Sequence, residues 1–223
     1  MKIWRILVLA LVPIGVTAAS AQDAVKADPD HYKVILDNPS VRVLKISYAP
    51  GATSKVHQHP DSIVIPLTES KVRFTLPDGK SEDSTLASES AMYSPAGTHT
   101  PTNVGPKAME AVLVEFKAAA PGKAALPTSR AGMDAKVLAE GPRATAYRST
   151  ASATFAEPAG TTHEFDQVVI ALAPGTPMSL SIDGKPAKTN WARGDVEFIA
   201  RGVKHEAKNT GGKPVEMIIV AVK

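Results

Sequence analysis

The chain has no cysteine. That excludes disulfides, thiolate metal ligands and a cysteine nucleophile, so the fold must rest on its own apolar core. Any metal must then sit on histidine, carboxylate or carbonyl groups. Aromatic residues are scarce, at 5%. No basic cluster is interleaved with aromatics, which excludes nucleic acid as a partner class. Beyond the first 21 residues, no stretch keeps a helical apolar period for more than about two turns, so long amphipathic helices are absent too.

What is present begins with a leader. "MKIWR" is a short basic start, "ILVLALVPIGV" (6–16) is an apolar run, and "ASA" (19–21) has the small-x-small form of a cleavage site. This is the pattern of a secretory signal peptide (1–21), and the apolar run is too short to span a bilayer. The expectation is cleavage after Ala21 and an exported protein, periplasmic or secreted, with no membrane association after cleavage. A mature chain of about 200 residues suits one or two domains. Loss of Lys2 and Arg5 lowers the basic residues from 25 to 23 against 22 acidic ones, so the formal charge falls from +3 to +1. The pI near 9.0 therefore says nothing about an acidic partner.

The rest of the chain repeats itself. "NVGPKAMEAVLVEFK" (103–117) faces "NTGGKPVEMIIVAVK" (209–223) at an offset of 106 residues. "DSIVIPL" (61–67) faces "DQVVIAL" (166–172), and "LPDGK" (76–80) faces "SIDGK" (181–185), both at an offset of 105. Matches by chance would not hold a register, so the chain reads as an internal duplication. Residues 118–134, "AAAPGKAALPTSRAGMD", are rich in Ala, Pro and Gly and lack apolar periodicity. They place a linker at 121–130 between domains at Asp28–Ala120 and Ala131–Lys223, and the linker should be the most protease-sensitive interior segment. Within each half, short apolar or β-branched runs such as "VRVLKISYA", "SIVIPL" and "AVLVEF" are broken by turn residues, and "PDG" and "IDG" are hairpin signals. The fold class is all-β, and halves of this size must close a barrel or sandwich to hide their edges.

Five of the six histidines fall in a few segments. In "KVHQHPDSIVIPL" (55–67), His57 and His59 are two apart, so on a strand both side chains share one face and can hold one ion together. His31, ahead of the first strand, reads as a solvated residue. Two imidazoles alone make a weak site, and the unliganded alternative is a barrel mouth of hydrogen-bonded histidines.

These segments resemble the cupin superfamily of small β-barrels. Gly51, five residues and then His57–Gln58–His59 match the start of the first cupin motif. Pro95, Gly97, His99 and Asn103 match the second, with one residue rather than two before the histidine. The C-terminal half offers Gly194, Gly202, His205 and Asn209 at the family spacing, with Ala200 in place of proline. The resemblance covers nearly all of Tyr32–Lys223 and implies two tandem cupin (double-stranded β-helix) barrels, a bicupin. It implies that His57 and His59 project inward, that His99 meets them from a strand across the barrel, and that the three hold one divalent transition metal (Fe, Zn, Mn, Ni or Cu).

The chain departs from the family at the carboxylate. Ile63 and Val64 stand where a glutamate is expected, and Ser70 replaces the glycine that follows. Asp61 could share the face of His59, but Asp166 recurs in the half that lost the paired histidines, which favours a structural role. Glu110 and Glu216 recur likewise. Three neutral imidazoles leave the full +2 charge of the ion, which favours an anionic or bidentate oxygen ligand. The C-terminal half reads as degenerate. Aligning by "DQVVIAL" sets Thr162 and Glu164 opposite His57 and His59 and turns His163 away, leaving Glu164 and His205 as a possible second, weak site. Aligning by histidine instead needs a one-residue shift. The functions this implies are a mononuclear metal enzyme of dioxygenase, isomerase or lyase type, or a non-catalytic barrel that binds a small molecule, with metal storage or a structural role as a third reading; a homodimer is the partner expectation.

Overall fold

The structure, a computed structural model, describes residues 22–117 and 128–223. The leader, with its cleavage site, and residues 121–127 of the expected linker lie outside the described residues. In the N-terminal half, β1 (Gln22–Asp23) and the single turn α1 (Ala24–Ala27) precede β2 (Tyr32–Asp37), β3 (Val41–Tyr48), β4 (His57–His59), β5 (Ser62–Pro66) and β6 (Ser70–Thr75). β7 (Ser81–Leu86), β8 (Met92–Ser94), β9 (Gly97–Asn103) and β10 (Met109–Phe116) complete it. The C-terminal half holds β11 (Met133–Glu140), β12 (Ala144–Ala151), β13 (Asp166–Ala171), β14 (Met178–Ile182), β15 (Lys185–Lys188), β16 (Val196–Ile199), β17 (His205–Asn209) and β18 (Val215–Val222). Among the described residues, no helix is long and apolar enough to cross a membrane.

Each half is a barrel of two sheets. The first pairs the order β1-β4-β9-β6-β7 with β2-β3-β10-β5-β8; the second pairs β15-β14-β17 with β11-β12-β18-β13-β16. The "PDG" and "IDG" turns join β6 to β7 and β14 to β15, with Gly79 and Gly184 at φ of 85° and 73°, a backbone region open to glycine at little cost. Residues 22–27, which the sequence reading left ahead of the first domain, belong to its barrel: Gln22 and Asp23 run parallel to His57 and Gln58, and Ala24 is fully buried. A strand of two residues has no periodicity by which a sequence could announce it.

The apolar runs are continuous rather than alternating because both faces of these strands are buried. On β10, Ala111 and Leu113 point into the N-terminal barrel, while Val112, Val114 and Phe116 point out of it. The outward set does not meet water. With Val41, Val43, Ile63, Ile65 and Leu67 it forms one cluster with Ala144, Ala146, Val168, Ile170, Ile218, Val220 and Val222 of the second barrel. The two barrels are therefore packed sheet on sheet through a dry apolar layer. Close approach is built in: a Cβ at Gly194 would lie 2.7 Å from the Leu67 side chain, and one at Gly141 would overlap the Tyr93 ring. Arg143 of the second half donates to the Phe116 carbonyl of the first at 3.0 Å and stacks its guanidinium over the same ring.

Candidate metal centre

The three histidines of the N-terminal half come together. His57 and His59 occupy alternate positions of β4, both buried, as their spacing requires. His99 is the register partner of His57 on β9, so it comes from the neighbouring strand of the same sheet rather than from across the barrel. Ring centroids lie 4.7 Å (His57–His59), 5.1 Å (His57–His99) and 5.4 Å (His59–His99) apart. One ring nitrogen from each falls within 4.8 Å of the others.

Hydrogen bonds select the tautomers. His57 Nδ1 lies 2.7 Å from the Lys55 carbonyl, and His59 Nδ1 lies 2.8 Å from Glu115 Oε1. Both acceptors lack a proton to give, so each Nδ1 carries the hydrogen and each Nε2 presents a lone pair. These two Nε2 atoms face one another at 3.0 Å. A metal bonded to imidazoles at about 2.0–2.1 Å holds neighbouring nitrogens roughly 3 Å apart, so the residues fit such an ion. Tyr32 adds a donor at the edge. Its phenol lies 3.0 Å from His57 Nε2 and itself accepts from the Tyr48 hydroxyl at 2.8 Å. Burial holds the Tyr32 pKa well above its usual value, so it stays a phenol.

Behind His59 runs a charged relay. Glu115 is fully buried and also accepts from Arg42 Nε at 2.6 Å; Arg42 in turn pairs with Asp23. Burial opposes the charge on Arg42, but the hydrogen bonds to Asp23 and Glu115 outweigh it and raise its pKa. A carboxylate that holds the outer nitrogen of a metal-binding histidine fixes the ring and raises its basicity. Sequence reasoning missed Glu115, Arg42 and Tyr32.

Other sequence-singled residues fall outside the cluster. Asp61 Oδ1 accepts the Ala96 N–H at 2.8 Å, and Asp166 Oδ1 accepts the Arg201 N–H at 2.8 Å, the same turn-fixing role in each half. Asn103 and Asn209 tie loop carbonyls in both barrels. Glu110 pairs with Arg193 and Glu216 with Arg148, on the surface. Val64 lines the cavity beside His59 and His99, with no carboxylate on that wall, while Ile63 faces the other barrel. His31 is not simply solvated: it stacks on Tyr48 at 4.5 Å and its Nδ1 lies 2.7 Å from Asp28. Glu164 is exposed and does not join His205; Glu157 and His163 do.

Burial, reinforced by His59 and His57, pushes the His99 pKa down to about 3, and burial also lowers that of His57. In the unfolded chain both return to about 6.5. Between those values the unfolded state binds more protons, so the stability these groups contribute is present above pH 6.5 and lost as pH falls toward 3. The melting temperature of metal-free protein should fall steadily below about pH 6.5. His99→Gln should flatten that slope in the same scan; an unchanged slope would show that His99 is not the group responsible.

The paired barrels define a fold class. The fold is the cupin fold in its two-barrel, bicupin form. A cupin 2 conserved barrel domain protein from Leptotrichia buccalis matches at a TM-score of 0.57 and 12% identity, over 86% of this chain and 88% of that one. AerE from Microcystis aeruginosa matches at 0.62 and 15%, over 86% and 97%. Salicylate 1,2-dioxygenase from Pseudoaminobacter salicylatoxidans, as its gentisate adduct, matches at 0.61 and 10%, over 84% and 70%. No protein-family model and no curated protein matches the sequence.

Proposed function

We propose that the N-terminal barrel binds one divalent transition metal (Fe, Zn, Mn, Ni or Cu) through His57, His59 and His99 and acts as a mononuclear metal enzyme on a small oxygenated or anionic molecule. The observation that carries this reading is the approach of the His57 and His59 Nε2 atoms to 3.0 Å, with both Nδ1 atoms already at hydrogen-bond distance from the Lys55 carbonyl and Glu115. A bound dication supplies Lewis-acid polarisation of an oxygen ligand. The chain supplies the rest. Three neutral imidazoles leave the dication's charge uncompensated, which suits a carboxylate or a chelating hydroxy-acid. The adjoining cavity, of about 60 Å³, is walled mainly by apolar side chains such as Phe74, Leu86, Met92 and Leu113, which limits the ligand's size. Tyr32 can donate a hydrogen bond at the ion's edge, and Glu115 holds the His59 ring in place.

Dioxygenase chemistry is the variant favoured by the likeness to a gentisate-bound dioxygenase; isomerase and lyase chemistry remain in the same class. The second reading is a non-catalytic barrel that binds a small molecule, and one observation favours it: no carboxylate lines this cavity among the described residues to act as a built-in base. The setting we propose is the exported compartment, on the strength of the leader at residues 1–21. The test is elemental analysis of untagged protein purified from that compartment, followed by oxygen uptake and product analysis with small hydroxy- and keto-acids. Stoichiometric metal with turnover supports the enzyme; ligand binding without turnover supports the second reading; no stoichiometric transition metal ends the enzyme reading.

A further inference from the structure

The second barrel repeats the geometry of the first with other chemistry. Thr161 bridges His205 as His57 pairs with His99, and Ala156 bridges Lys208 as Thr53 bridges Thr102. The backbone correspondence sets His163 in the place of His59 and Glu157 in the place of Ser54. Glu157 N donates to the Ala207 carbonyl at 2.9 Å, as Ser54 N donates to that of Pro101 at 3.0 Å. The carboxylate therefore enters from a segment that holds no ligand in the N-terminal cluster.

The donors converge here as well. His205 Nδ1 lies 3.2 Å from the Val203 carbonyl, which leaves Nε2 as a lone pair on the inner side, 3.6 Å from Glu157 Oε2. Glu157 Oε2 also accepts the Ala207 N–H at 3.0 Å and its other oxygen pairs with Arg130, and the two acceptors that face each other leave a place for a proton or a cation between them. Glu157, His163 and His205 offer ligand atoms within 4.8 Å of one another, and the Glu157 and His205 side chains are only 4% and 3% exposed. All three line a cavity of about 50 Å³ inside the barrel. On its wall, buried Gln167 has a side-chain N–H with no hydrogen-bond partner among the described residues. An unpaired buried donor is costly and points to an oxygen-bearing occupant.

We propose that the C-terminal barrel holds a second divalent-cation site, formed by Glu157, His163 and His205, whose open positions take a small oxygen ligand toward Gln167. This goes beyond the proposed function of the first barrel and does not rest on it. Arg130 pairs with Glu157 and lines the same cavity, so it offsets the carboxylate's charge and a dication here leaves the site positive, suited to an anionic oxygen ligand.

The test uses Zn²⁺ as probe on chelator-treated, full-length protein, with calorimetry and elemental analysis. A His57→Ala/His59→Ala variant should still bind about one zinc per chain, and adding Glu157→Gln to it should weaken that binding by about 100-fold or more. His163→Ala alone should cost the wild type one of two zinc ions. Co²⁺ in place of zinc should quench the fluorescence of Trp191, which lines the same cavity, in the first variant but not once Glu157→Gln is added. Should the N-terminal reading alone fail, the wild type binds a single zinc that His163→Ala removes and His57→Ala leaves. A folded His57→Ala/His59→Ala protein that binds no zinc overturns the proposal, and so does zinc at wild-type affinity in that variant carrying Glu157→Gln.

Discussion

His99→Ala, or His57→Ala, is expected to empty the N-terminal barrel of metal and to remove whatever turnover the protein has. On the proposed reading each histidine supplies one of three ligands, and two imidazoles on an otherwise apolar wall leave too few bonds to hold an ion. The expected loss in metal affinity exceeds the 10–100-fold typical of outer-shell changes. Folding should survive, because the barrel is held by buried aliphatic layers rather than by the ion. Metal content per chain, read beside far-UV circular dichroism, checks both halves of this expectation. His205→Ala is the internal control: it should leave the N-terminal metal and its turnover in place. Unchanged metal content in His99→Ala would remove His99 from the ligand set.

A second large effect is expected at the relay behind His59. Arg42→Met leaves the Glu115 carboxylate fully buried beside His59 without its cation. Breaking one partner out of a buried pair costs about 3–5 kcal/mol, which is a large share of a domain's stability. Adding Glu115→Gln should restore most of that loss, since a neutral amide needs no counter-charge yet still accepts from His59 Nδ1. Glu115→Gln alone should lower metal affinity by about 10–100-fold while the ring keeps its tautomer. Urea unfolding of the two single variants and the double variant, with zinc titrations alongside, tests the coupling. Additive destabilisation in the double variant would mean that Arg42 and Glu115 do not act as a pair.

Much of this was legible in the sequence, and the remainder was hidden for identifiable reasons. The His57–His59 spacing needed only strand geometry, and His99 needed the second motif. The duplicated frame stood in the matching runs around Asp61 and Asp166. Glu115 was harder, because a charge near the end of "AVLVEFK" looks like a strand terminus. The clue was parity: Glu115 shares its face with Ala111 and Leu113, which point inward, not with Val112 and Val114. Tyr32 gave no signal, since only the closed barrel brings it to His57, 25 residues on. The choice of Glu164 over His163 failed on a single residue. The second half has two residues between His163 and Asp166 where the first has Pro60 alone, and a one-residue shift sends every side chain of a strand to the opposite face.

The dry layer between the barrels carries a further consequence. Two separate single-barrel chains would meet through such a surface only at sufficient concentration, and a two-fold axis would force their sites to be identical. Joined through residues 118–127, the halves face each other at an effective concentration of roughly millimolar whatever the dilution. Pairing then no longer depends on abundance, and no symmetry operation ties one barrel's ligands to the other's. A substitution that changes chemistry on one side is not copied to its counterpart. Three imidazoles can therefore persist in one barrel while its neighbour keeps two and a carboxylate.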